Sequence, residues 1–178
     1  MFKKPVLIIG MTILVSACSD EKASKVVSAP AKPEQTYVKA TEMKPAFISN
    51  QFVAVEPCSL DAINESPAQE SNRINNKQVT LAGWAANVTS GVAANEIWLE
   101  FSGSKNFYLK AAVKEQRPDV ASHFNKPAML DSGWKAFADL GNLSAGEYKV
   151  RILMPDTGSH MDTSSHMVCD TKRQIRVE

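Results

Sequence analysis

Cysteine is scarce in this sequence, with three residues in 178. No two of them form a CxxC pair and no HExxH motif occurs, which removes the common thiol-redox and zinc-hydrolase signatures. A glycine-rich phosphate loop is missing as well, so no cofactor is expected. Nothing matches the GxSxG elbow that raises a serine nucleophile. Long runs of one charge are absent and the formal net charge is only +1, which gives no electrostatic reason to expect nucleic acid as a partner. The longest apolar run falls short of the roughly 20 residues that span a bilayer as a helix. Neither a long amphipathic helix nor a repeat of solenoid length can be found. What is left, 44% hydrophobic and 22% charged, is the composition of one globular domain with extensions.

The N-terminus carries the sharpest pattern. Lys3 and Lys4 precede an apolar stretch from Pro5 to Val15, the size of a secretory h-region. Val15-Ser16-Ala17-Cys18 follows and resembles the lipobox of bacterial lipoproteins: a branched apolar residue, two small ones, then cysteine. The resemblance implies a signal peptide over 1–17 and lipidation at Cys18. Several acyl chains there would anchor the protein firmly in a lipid bilayer, where one chain is marginal. Ser19, rather than Asp, directly after the cysteine favours the outer membrane over the inner one by the sorting rule of such lipoproteins. Removing Lys3 and Lys4 with the signal turns the formal charge from +1 to −1.

Residues 18–50 read as a disordered tether. Pro30, Pro33 and Pro45 interrupt any helix, and a stretch rich in Lys, Ala, Ser and Glu buries too little to offset its ordering entropy. From 51 to 178 the pattern is β. Val79, Leu81, Gly83 and Ala85 alternate with their neighbours, and Ile97, Leu99 and Phe101 do the same. Ser102 to Asn106 is a turn cluster before Phe107, Leu109 and Ala111 resume the alternation, which predicts a hairpin. Pro118 opens one short helical turn to Phe124. Gly133–Leu140, the stretch Tyr148–Met154, Met167–Cys169 and Gln174–Val177 read as further strands, giving an all-β antiparallel sandwich. With Cys18 lipidated, Cys58 and Cys169 remain. An even pair in an exported chain points to one disulfide, with two free thiols or a metal pair as the alternatives.

Four segments occur in order: Gly83-Trp84-Ala85, Arg117-Pro118-Asp119-Val120-Ala121, Gly133-Trp134, and Leu143-Ser144-Ala145-Gly146-Glu147-Tyr148. Together they resemble an Ig-like β-sandwich module found beside bacterial glycosyltransferases and in surface-associated proteins, over about Cys58 to Met154. Trp134 stands where that module has Phe, and the terminal cysteines and the stretch 154–167 depart from its pattern. The resemblance implies an accessory binding or spacing role and carries over no catalytic residue. The residues themselves allow two uses. Arg117 and Asp119 can pin their loop by charge-assisted hydrogen bonds or meet a ligand, and Trp84 and Trp134 can fill the core or serve as platforms for a sugar.

Two further clusters are candidates for chemistry. His160, Met161, His166 and Met167 combine imidazoles and thioethers, a donor set suited to Cu(I). Asp119 and His123 lie four apart beside Ser122 and could face each other on a helical turn, although no oxyanion donors accompany them. The expected function is a lipid-anchored, non-enzymatic binding module whose partner is an envelope protein or a glycan. A periplasmic copper-binding lipoprotein using the His/Met loop 158–167 is the alternative.

Overall fold

The computed structural model describes residues 35–48, 51–155 and 165–178. Cys18, His160, Met161 and the expected signal peptide lie outside them. The fold is all-β. In chain order the strands are β1 (Val38–Lys39), β2 (Gln51–Ala54), β3 (Ser59–Ile63), β4 (Ser66–Pro67), β5 (Ser71–Ile74), β6 (Gln78–Trp84), β7 (Ala86–Asn87), β8 (Val92–Ala93), β9 (Ile97–Ser102) and β10 (Asn106–Glu115). A short helix, α1 (Pro118–His123), and a 3-10 turn at Pro127–Met129 precede β11 (Gly133–Asp139), β12 (Gly146–Pro155) and β13 (Ser165–Val177). Among the described residues no helix is long and apolar enough to cross a membrane.

One curled sheet runs in the order β2-β13-β12-β9-β10-β11-β6-β3-β4. Strand β10 makes the curl possible. Its first part, Asn106 to Ala111, pairs with β9, and its last part, Ala112 to Glu115, pairs with β11. The ladder thus passes from one half of the sheet to the other within a single strand. Alternation then does the packing: Leu60, Leu81, Trp134 and Ala136 from one half meet Leu99, Phe101, Val150 and Ile152 from the other in one apolar core. Trp134, 1% exposed, is among the largest side chains fully enclosed.

A disulfide joins Cys58, just before β3, to Cys169 on β13, with Cα atoms 6.2 Å apart. It ties the two halves together away from the shared strand β10. At the turn into β12 the Tyr148 hydroxyl donates to the Ser144 carbonyl at 3.1 Å, so the aromatic ring packs inside while its polar end is satisfied locally.

Within the span 18–50 expected as a tether, the described residues around 38–41 are paired to the sheet. β1 pairs in parallel with the end of β11, Val38 opposite Ala138. Ala40 is 0% exposed, and Thr41 bridges to Tyr108 on β10. This arm fills the gap that opens where β10 leaves β11. It then continues to β2, which pairs in parallel with the start of β13. Composition argued for disorder because the arm brings few apolar groups of its own. It is held by backbone pairing to strands whose edges would otherwise be unsatisfied.

Candidate functional site

The segments of the Gly-Trp and Arg-Pro-Asp patterns converge at one end of the fold. In the β6–β11 ladder Gly83 stands opposite Trp134, and Trp84 opposite Gly133. Both glycines are required by close approach. A Cβ on Gly83 would lie 2.0 Å from the Ser59 carbonyl oxygen and 2.7 Å from the Trp134 ring. One on Gly133 would lie 2.5 Å from the Glu115 carbonyl oxygen and 3.0 Å from Arg117 Cγ. The two tryptophans go to opposite sides. Trp134 enters the main core. Trp84 joins a small second cluster with Val120, Met129, Val88 and Phe124, which seats α1 on the sheet.

Arg117 fixes the position of α1. Its Nε donates to Asp119 Oδ1 at 2.9 Å and its Nη2 to Asp119 Oδ2 at 2.7 Å, a bidentate fork. Its Nη1 reaches across to Asp61 Oδ2 on β3 at 2.6 Å. The hydrogen bonds from Arg117 hold the Asp119 carboxyl down to about 2, and those from Asp119 and Asp61 keep the guanidinium more firmly protonated than usual. The sequence allowed this pinning role for the loop, and the structure shows it. Both Asp119 oxygens are committed to Arg117, while the His123 ring sits edge-on to Phe124 at 4.8 Å between centroids.

Between α1 and the start of β3 lies an open cleft of about 450 Å³, lined by Pro57, Trp84, Val120 and Phe124 on its apolar side and by Arg117, Asp119 and His123 on its polar side. The Trp84 and Phe124 rings stack obliquely at 5.6 Å. His123 is exposed at the rim. Trp84 and the Arg117–Asp119 loop were legible as candidates in the sequence. Pro57 and Phe124 were not, because only the disulfide-linked start of β3 and the seating of α1 bring them there.

A second recess, of about 190 Å³, lies on the outer face of the β9–β10–β12–β13 half. Its floor is a row across three strands, Tyr108, Glu100 and Arg151, which stand directly opposite one another in the register. Glu100 is only 5% exposed. Arg151 Nη2 pairs with Glu100 Oε2 at 2.7 Å, while Asn106 Nδ2 and the Tyr108 hydroxyl donate to Oε1 at 2.9 and 3.3 Å. Burial pushes the Tyr108 phenol up, which keeps it a donor. Lys44, Ile48 and Phe52 of the arm form the opposite wall, with His166 beside them.

His166 and Met167 part company. As neighbours on β13 they face opposite sides of the sheet. His166 packs near Phe47 and Phe52 under the arm, with ring centroids 6.3 and 6.2 Å away. Met167 lies in the main core, where its sulfur accepts from Asn87 Nδ2 at 3.6 Å. His166 and Met167, two of the four residues of the expected ligand set, thus point to opposite faces of β13, while His160 and Met161 lie outside the described residues. Among the described residues no three His, Cys, Asp or Glu side chains cluster as metal ligands would. The sequence matches no protein-family model and no curated protein.

Proposed function

We propose that this chain is a lipid-anchored, non-enzymatic binding module of the bacterial cell envelope, tethered through acylated Cys18 and presenting the cleft beside α1 to an envelope protein or glycan. The lipobox-like Val15-Ser16-Ala17-Cys18 supports the anchor, and Ser19 the outer membrane. The Tyr148–Ser144 corner and the disulfide between sheet halves support an Ig-like module, since both devices recur in that architecture.

The observation that carries the binding role is the composition of the cleft. Apolar ring faces of Trp84 and Phe124 lie next to an ion-paired triad, Asp61–Arg117–Asp119, whose two carboxylates and one guanidinium hold one another in place and leave a net negative charge. Such a surface offers contact area and rim hydrogen bonds in a fixed geometry, the properties of a recognition site. Affinity purification of the full-length lipidated chain from its own envelope, wild type against His123→Glu, tests the reading. One stoichiometric companion lost in the variant is expected. The same companions with both chains, or lipid alone, would overturn it.

A further inference from the structure

The recess under the arm is separate from the cleft and carries a ligand assignment of its own. Its lining carries one more cation than anion. Glu100 is matched by Arg151, and Lys44, exposed on the arm wall, adds a second positive charge. Arg151 also keeps one buried donor in reserve: its Nε–H is enclosed and has no acceptor among the described residues. A buried donor without a partner is costly, and a native structure that keeps one calls for an explanation. An acceptor that enters the recess and displaces the atoms now enclosing this donor supplies it.

The other half of the recess is apolar. Leu153 and Val168 stand opposite each other on β12 and β13, and Ile48 and Phe52 face them from the arm. A space of 190 Å³ holds about six non-hydrogen atoms if each occupies roughly the share of one liquid water. Positive charge, a spare donor and a small apolar wall together select an anion with a short hydrocarbon part, not a bare hydrated ion.

We propose that this recess binds a small carboxylate bearing a short apolar group, with the carboxylate at Arg151 and Lys44 and the apolar part against Ile48, Phe52, Leu153 and Val168. That chemistry exists as a free short-chain acid and as the carboxyl end of a peptide whose last residue is small and apolar. The arm, as one wall, makes occupancy and arm seating interdependent.

Nuclear magnetic resonance of the full-length chain in neutral detergent tests this with pentanoate and its neutral analogue pentanamide. Pentanoate is expected to bind with a dissociation constant of about 1 mM or below, to move the Arg151 Nε–H signal and to slow its exchange. Pentanamide is expected to be at least about tenfold weaker, since it brings no charge to the two cations. Lys44→Gln, at an exposed position that spares the fold, should weaken pentanoate about fivefold, the size of one ion pair in a high-dielectric setting. A peptide ending in free Ala that outcompetes pentanoate, while its C-terminal amide does not, identifies the peptide source. The reverse order identifies the free acid. Equal effects of pentanoate and pentanamide, or an unmoved Arg151 signal at about 20 mM pentanoate, would overturn the assignment. Shifts confined to the cleft at Trp84 and His123 would overturn it too, while leaving the cleft reading intact.

Discussion

Reducing the Cys58–Cys169 bond should cost this domain a large part of its stability. The bond closes a loop with a sequence separation of 111 residues. In the chain-entropy model a loop of that size removes about 16 cal/mol/K from the unfolded ensemble, or about 5 kcal/mol at 25 °C. A single domain of this size shifts its melting temperature by about 4 °C per kcal/mol, so the midpoint should fall by about 20 °C. Urea unfolding followed by tryptophan fluorescence measures this directly. Trp134 in the main core and Trp84 in the small cluster report the two packed regions. The comparison is made with and without reductant, and with the double variant Cys58→Ala/Cys169→Ala, in a Cys18→Ser background that prevents thiol exchange. The urea slope should rise on reduction, because an uncrosslinked unfolded chain exposes more surface. A loss below about 2 kcal/mol with an unchanged slope would refute the reasoning. It would mean that β10 and the arm alone hold the two halves of the sheet together.

Other consequences follow from single contacts. Gly83→Ala places a methyl group on the Ser59 carbonyl and the Trp134 ring, and should destabilise by about 3 kcal/mol in the same urea assay. Tyr148→Phe removes the hydroxyl that donates to Ser144 and should cost about 1 kcal/mol, with the fold retained by circular dichroism. Asp119 is held below its ordinary value by Arg117, so its contribution is complete above about pH 4 and is lost as the pH falls toward 2. Its side chain is 65% exposed, so that contribution stays within about 1 kcal/mol, and Asp119→Asn should flatten the stability profile between pH 4 and pH 2.

The sequence announced the elements that carry their own periodicity. Ile97 to Ala111 alternates and contains its turn, and it forms the β9–β10 hairpin as expected. Pro118 marked α1, and the alternation through Leu81 and Gly83 marked β6. Cys58 and Cys169, the even pair that remains if Cys18 is lipidated as expected, form the disulfide they implied. The arm was hidden because β1 is two residues long and exposed at Val38 and Lys39, so no pattern marks it. Hidden for the same reason was the fate of Glu100. Alternation places it on the outer face of β9, where a carboxylate is ordinarily solvated, and only the arm and the row of Tyr108 and Arg151 bury it. The separation of His166 from Met167 follows a local rule. Adjacent residues of a strand face opposite sides, whereas the sequence pattern reads β13 as two pieces and leaves His166 in the loop before them.

Photo-crosslinking at the cleft tests the central claim most directly. A photoreactive amino acid is introduced at His123, on the rim of the cleft, and separately at Lys149, on the exposed face of β12, in the full-length chain in intact cells. The binding-module account predicts one dominant adduct, protein or glycan, from position 123 and none of it from position 149. Identical adduct patterns from both positions, or no adduct at 123 while the chain is present and folded, would contradict it.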